Sequence, residues 1–431
     1  VRFLVIDPHG DALDVALRAQ EHDHDVRLFI RDTPKTCHIG TGMAPIIRDF
    51  TTSLVWADLI FMADNSLYLR QIDSFRAFRP KALIIGPTWE SAQWELDRRV
   101  GFKTLEDHGI NVAPYREFDS YDTAISFVKK EDRRFVSKPF GDGDKAMTYA
   151  ASGPDPTADM VYMLTKWKKK FGKPKDHFIL QDFIEGIEMG SDGWFGPGGF
   201  DQGWSESFEF KKLMSSDYGM NTGEMGSVLR FTKTSKLARK VLQPLTDRLA
   251  SMGYVGYISV NCIIDGKGTP WPLEFTMRPG YPTINIEAAV HNTMDPAERL
   301  YSLAKGEDCK SAILDRVALG VVIALPSFPH SHSLAKEIDG IPIHGITSRL
   351  WPHIHPAQIR STKGNLETAG DYVMVCTGSS QTVSDARRIA YRRAEQVHIP
   401  GGIAVRDDIG ERLSKQLPIL HDQGYATGMV Y

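Results

Sequence analysis

Residues 207–226, S-F-E-F-K-K-L-M-S-S-D-Y-G-M-N-T-G-E-M-G, combine groups able to do chemistry in the most informative pattern of the chain. The segment alternates like a strand, sets Glu209 beside Lys211 and Lys212, and ends in a loop broken by Gly219, Gly223 and Gly226. Glycines at that density let a backbone approach a ligand closely and offer its N–H groups to an anion. An acid, a pair of ammonium groups and such a loop suit a site that handles phosphate and an amine together. The same residues also suit a charged edge strand followed by a flexible loop, so the segment alone decides nothing.

Three further groups bear on the choice. The loop from Lys138 to Lys145 follows a strand, and Gly141, Gly143 and Lys145 with Lys138 offer backbone amides and two cations to a nucleotide triphosphate. It lacks the G-x-x-x-x-G-K-[ST] spacing of a Walker loop, and a plain surface loop would read similarly. Gln181, Asp182, Phe183 and Ile184 end another strand where an adenosine could sit, with Glu188 able to accept from ribose hydroxyls. Asn261 and Glu274, on the two strands of a hairpin, are oxygen ligands of the kind magnesium prefers, and Arg278 could hold a carboxylate or acyl phosphate through paired hydrogen bonds. An exposed hairpin with surface polars is the plainer reading; the apolar neighbours Val260, Cys262, Leu273 and Phe275 argue against it.

The elements that must position these groups are legible from periodicity. Residues 2–6, 26–30, 59–62 and 82–85 read as buried strands, the first two joined by a turn at Pro8-His9-Gly10 and a helix, so residues 1–87 form a doubly wound α/β domain with a parallel sheet. A long amphipathic helix follows through Trp94, Leu96, Val100 and Leu105, ending near Gly109. Residues 257–264 and 271–275 flank Asp265-Gly266-Lys267-Gly268 as a hairpin, and a second α+β region starts near Leu319. At 431 residues the length suits about three domains. A formal net charge of −3 argues against coating nucleic acid through bulk charge. No apolar run approaches the ~18 residues of a membrane span, so the expected location is the cytoplasm. Four scattered cysteines suggest neither a disulfide frame nor a zinc site.

Taken in order, these features resemble the ATP-grasp ligases, and among them the phosphoribosylamine–glycine ligase family of purine biosynthesis. The similarity covers nearly the whole chain. It is most specific at M-N-T-G-E-M-G from Met220, against the family's P-N-T-G-G-M-G, and at T-V-S-D-A-R-R-I-A-Y…V-H…V-R-D-D-I-G over residues 382–410. G-P-T…S-A-Q-W-E from Gly86, Q-D-F-I-E-G-I-E from Gln181 and L-E-F-T-M-R-P-G-Y-P-T from Leu273 add to it. The resemblance implies a central ATP-grasp domain at residues 88–310, with a smaller nucleotide lid at about 115–186, and a C-terminal mixed α+β domain at residues 311–431. It implies ATP and Mg²⁺ as cofactors and small-molecule amino acid and amine substrates, with the carboxylate activated as an acyl phosphate. It places Arg98 and Lys138 on phosphate, Gln181, Asp182, Phe183 and Ile184 on adenine, Glu188 on ribose and Glu274 on magnesium. Glu209, Lys211, Asp217, Asn221, Thr222 and Gly223 fall in the substrate strand and loop, with Glu209 or Asp217 to accept the amine's proton and Arg278 beside the metal ligands.

The pattern breaks at the N-terminus. Where the family has G-x-G-G-R-E-H-A this chain reads D-P-H-G-D-A-L-D; only Gly10 survives, and the arginine position is Asp11. An anion in place of a cation near a phosphate costs on the order of a few kcal/mol at about 4 Å. The family's G-P-E loop is Met62-Ala63-Asp64, keeping only an acid, and its magnesium-binding asparagine is Thr276. The expectation is therefore an intact ATP side and an altered acceptor side, whose amine is phosphoribosylamine or a different one, on a modified nucleotide or nucleic acid. Loss of catalysis, leaving a nucleotide-binding protein, is the reading from another class. Six lysines around Trp167 and Phe171 at residues 165–175 could hold a nucleic-acid backbone, though a solvated helix face with both aromatics turned inward explains them more simply. His330, His332, His353 and His355 have no acids near them in sequence and are expected in loops.

Overall fold

Strand Arg2–Ile6 pairs in parallel with Asp25–Phe29 on one side and Leu59–Met62 on the other. Ile46–Ile47 and Leu83–Ile85 complete a five-stranded parallel sheet. A near-continuous apolar strand is what a sheet covered on both faces needs. Phe3 to Ile6 are wholly buried, with helix Leu13–Glu21 setting Leu13, Ala16 and Ala19 into the same core.

The computed structural model describes residues 1–139, 148–151, 153–175, 177–201, 203–293, 295–307, 312–329 and 337–431. The chain divides into two bodies: residues 1–92, 189–260 and 276–431, and residues 93–188 with 261–275. Besides the parallel sheet, the first body holds an antiparallel sheet. In it Trp204–Glu209, Gly226–Thr232, Val317–Ala324, Tyr372–Ser380 and Ile354–Pro356 pair in that order. Val317–Ala324 is buried at every residue. Ile286 and Val290 pack with Ala318, Val322 and Val375, which fixes helix Thr283–Ala288 against this strand and its neighbour.

In the second body Tyr115–Phe118, Phe178–Asp182, Phe135–Pro139 and Tyr149–Ala150 form an antiparallel sheet in that order. Helices Tyr121–Glu131 and Pro156–Phe171 share its core through Tyr121, Val128, Met160, Leu164 and Trp167. Trp167 is buried as expected, but Phe171 is 40% exposed, with the Lys170 ammonium 4.8 Å above its ring. It sits at the last helical residue, beyond the sheet's reach. The long helix expected before Gly109 is two, Trp89–Leu96 and Arg98–Asp107. Asp97 breaks it by taking an extended conformation and accepting the Arg99 N–H as an N-cap.

The fold is thus α/β and α+β, a doubly wound parallel sheet followed by antiparallel and mixed parts. No helix among the described residues is long and apolar enough to cross a membrane.

Candidate functional site

In the second body two cations converge on one strand. Arg98, the first residue of its helix, donates to the Leu273 carbonyl at 3.2 Å and lies 3.4 Å from the Glu274 carboxylate. Lys138, on Phe135–Pro139 and only 7% exposed, brings Nζ to 3.5 Å from the same carbonyl. Asn261 is buried on Gly256–Asp265, the other strand of the hairpin whose turn Asp265 closes by accepting the Lys267 and Thr269 N–H groups. Burial, reinforced by the charge of Glu188, pushes the neighbouring Cys262 thiol up, which puts Glu188 within electrostatic reach of this hairpin.

The donor set fits magnesium bound with a polyphosphate. No group of three or more His, Cys, Asp or Glu able to hold a metal exists among the described residues. Magnesium needs none: it keeps several waters and takes one or two protein oxygens plus phosphate. Glu274 and Asn261 would supply those oxygens, with Arg98 and Lys138 offsetting the phosphates. Gln181 is buried and donates to the Ala113 carbonyl at 3.2 Å. Asp182 is paired with Arg133 at 2.5 Å, and the Arg134 guanidinium covers the Phe183 ring at 3.4 Å. Ile184 and Glu188 are half-buried. Gly141, Gly143 and Lys145 lie outside the described residues.

In the first body, residues 207–226 close on themselves. Lys212 and Asn221 form a bridge, and the Thr222 N–H and hydroxyl both donate to the Lys211 carbonyl at 2.8 Å. Phe210 exchanges backbone bonds with Met225 and Gly226. Gly226 serves the fold: a Cβ there would stand 2.4 Å from the Gly320 carbonyl of the adjoining strand. Gly223 and Asn221 remain exposed, and the space around Gly223 is open. Glu209 ends strand Trp204–Glu209, opposite Ser227, and its carboxylate pairs with Lys211 at 3.0 Å.

Asp217 is exposed and held by Arg406 at 2.8 Å and Arg412 at 3.2 Å. Both acids expected to accept the amine's proton are thus ion-paired, Asp217 with two guanidiniums and Glu209 with one ammonium. Arg406, only 1% exposed, also donates to the Lys212 carbonyl and to Asp408, pinning the loop.

Behind Glu209 lies a run of buried acids that sequence reasoning missed. Burial, then the charge of Glu209, raises Glu224 well above the usual carboxylate range, although the Ser227 hydroxyl bonds it and Lys211 opposes the shift. Burial pushes Asp192 up to about 7; the Ser259 hydroxyl donates to it at 2.5 Å. Glu224 stands at a glycine position of the family motif, and that departure was the signal that could have found it.

The N-terminal turn forms a second acidic group. Asp7 is buried and accepts N–H bonds from His9, Gly10 and Ala12, so the Gly10 amide is already engaged. Gly10 itself has φ +89°, and a Cβ would meet Ile39 at 2.9 Å. Asp64 accepts from the Ser66 and Leu67 N–H groups, with the His9 imidazole 3.6 Å away. Burial opposes its ionisation, yet His9 and those amides hold it down at about 2. Burial raises Asp11, with Arg278 the strongest influence the other way. Asp7 and Asp11 in turn push the Tyr281 phenol up, after burial; Glu224 and Asp11 do the same to Tyr372. Through Tyr372 the N-terminal turn and the Glu224 loop belong to one electrostatic neighbourhood.

The histidines differ from expectation. His355 lies in strand Ile354–Pro356, buried, 2.7 Å from Asp14 and 3.0 Å from Thr377. His353 ends the short turn Trp351–His353. Asp14 is 341 residues from His355, a pairing no local pattern reveals. His330 and His332 lie outside the described residues.

Residues 101–284 match the family model described as phosphoribosylglycinamide synthetase, ATP-grasp (A) domain. The phosphoribosylamine–glycine ligase of Ralstonia nicotianae is 29% identical over 353 residues, covering 78% of this chain and 80% of that protein. The crystal structure of the phosphoribosylamine–glycine ligase of Thermotoga maritima superposes with a TM-score of 0.72 at 20% identity, over 95% of this chain and all of that one. The biotin carboxylase domain of Hydrogenobacter thermophilus 2-oxoglutarate carboxylase, solved with MgADP and bicarbonate, gives 0.61 at 13% identity, over 98% and 97% of the two chains. These two likenesses speak to the fold.

Proposed function

We propose that this chain, an ATP-grasp carboxylate–amine ligase similar to phosphoribosylamine–glycine ligase, activates a small amino acid, most simply glycine, and couples it to an amine. ATP and Mg²⁺ are its cofactors. Magnesium-bound ATP supplies the γ-phosphoryl group that turns an unreactive carboxylate into an acyl phosphate. Arg98 and Lys138 bind the phosphates, residues 181–184 and Glu188 the adenosine, and Glu274 with Asn261 the metal.

The observation that carries the reading is the Glu209–Lys211 pair at the end of its strand, within a loop tied down by Arg406. Lys211 and Arg278 hold the acyl phosphate, Asn221, Thr222 and Gly223 line the approach, and Glu209 takes the proton. The amine nitrogen attacks the acyl carbon, the carbon–oxygen bond to phosphate breaks, and inorganic phosphate leaves. Developing charge on the carbonyl oxygen falls to the fixed cations.

A second reading concerns the acceptor. Asp64, held ionised at about 2, and Asp11, an acid where the family has an arginine, favour an amine other than phosphoribosylamine, because a fixed anion and a lost cation both disfavour a sugar phosphate. The test is ADP release from magnesium-ATP with a panel of amino acids, then with phosphoribosylamine, alkyl amines, aminated nucleosides and single-stranded oligonucleotides. Amino-acid-dependent turnover is expected. Its failure with every acceptor would overturn the ligase assignment; phosphoribosylamine outperforming all other amines would overturn the second reading.

A further inference from the structure

Apart from the residues given roles above, the first body contains a cavity of about 50 Å³ between helices Leu13–Glu21, Thr283–Ala288 and Pro296–Lys305. Val15, Trp194, Ile284, Ala288 and Leu300 make most of its wall apolar. At roughly 10–15 Å³ for each water-sized occupant, it has room for about three to five heavy atoms.

Most of its polar lining is engaged elsewhere. Asp14 is bonded by Arg18, His355 and Asn285. Arg18 also reaches Glu21 and the Trp351 and Ile354 carbonyls. Asp295 pairs with His24 at 3.0 Å and caps the Ala297 and Glu298 N–H groups.

His291 differs. The Arg299 guanidinium lies 4.8 Å above the Trp194 ring and 3.5 Å from Glu287, and donates to His291 Nε2 at 2.7 Å. A guanidinium can only donate, so Nε2 must be the lone-pair nitrogen and the ring's proton sits on Nδ1. Burial, then the charge of Arg299, keeps this imidazole neutral by holding its pKa well below the usual value. His291 is 8% exposed, and its Nδ1 has no hydrogen-bond partner among the described residues. A buried donor without a partner is costly unless something accepts from it. Beside a guanidinium, the acceptor that fits best is an anion.

We propose that this cavity binds a small monocarboxylate of about acetate size. Its carboxylate accepts from the His291 Nδ1–H beside Arg299, and its short tail packs against Val15, Ile284 and Leu300. Two walls of the cavity are the helices that follow Asp11 and Tyr281 in the chain, so an occupant braces the elements that present the N-terminal acids.

The test is a titration of the full chain, without nucleotide, with methyl-labelled acetate followed by NMR, and with chloride and glycine in parallel arms. Wild type should show saturable one-to-one binding of acetate that chloride does not compete away. Ala288→Leu, which fills the cavity with hydrocarbon, and His291→Phe, which keeps the ring and removes the N–H, should each weaken it by about tenfold or more. Near-UV circular dichroism checks that each variant is folded; should His291→Phe not fold, Ala288→Leu decides. Unchanged acetate binding in folded Ala288→Leu, equal competition by chloride, or no saturation of wild type up to about 100 mM would overturn the proposal. Glycine binding lost in the same variants would make the amino acid itself the occupant and would support the site.

Discussion

The residues proposed for the nucleotide are mainly cations, whereas those proposed for the acceptor are mainly acids, several of them buried. In the second body Arg98 lies 3.4 Å from one metal-type acid, Glu274, and Lys138 reaches the carbonyl of the residue before it, two cations for one acid. In the first body Asp7, Asp11, Asp64, Glu209 and Glu224 outnumber Arg278 and Lys211, and several are held away from their ordinary pKa. Phosphoryl transfer sets the charge of the first region whatever the acceptor is. The second answers to one substrate, and its charge can change while the chemistry persists.

Lys138→Met tests the first half of that contrast and should have the largest effect. Removing a nearly buried cation proposed to bind phosphate should lower kcat/KM about 10²- to 10³-fold with every amine alike. Steady-state kinetics across several acceptors checks this; a loss that varied with the acceptor would break the division between the two regions.

Asp11→Asn tests the other half. For a cationic acceptor its KM should rise about tenfold or somewhat more, the worth of one charge-assisted contact, while the KM for ATP stays within about twofold. A fall in acceptor KM would instead mean that the acceptor is anionic, as phosphoribosylamine is, and would reverse the reading of this turn.

Much of this contrast is legible in the sequence. The strands at residues 2–6 and 59–62 follow from apolar runs, and the motif order from Gly86 to Gly410 pointed to the ATP-grasp fold. Asp11 at an arginine position was visible as a letter. What stayed hidden depended on long-range pairing: Asp14 with His355, and Asp217 with Arg406 and Arg412. Glu224 showed only as a departure at a glycine position of the family motif; its burial beside Glu209 comes from the fold. The helix break was different, since an aspartate ahead of a new helical turn is an N-cap signal, and Asp97 carried it.

The smallest expected effect concerns the acids behind Glu209. Asp192 has its pKa raised to about 7 in the folded chain, chiefly by burial, against an ordinary value of 3.8. Between those values the folded state holds a proton that the unfolded state has lost. Stability must then fall as pH rises from about 4 to about 7, and level off above that. Asp192→Asn cannot lose a proton, so its stability should decline less steeply over that window, by about 1 kcal/mol or more in total. Urea denaturation of both proteins at pH 5, 6, 7 and 8 measures the difference. Parallel curves would mean that Asp192 is ionised throughout and that the buried acids carry full charge. That outcome would make Glu209 the edge of a strongly anionic patch. A shallower variant curve would instead leave the Glu209–Lys211 ion pair backed by a protonated Asp192 below about pH 7.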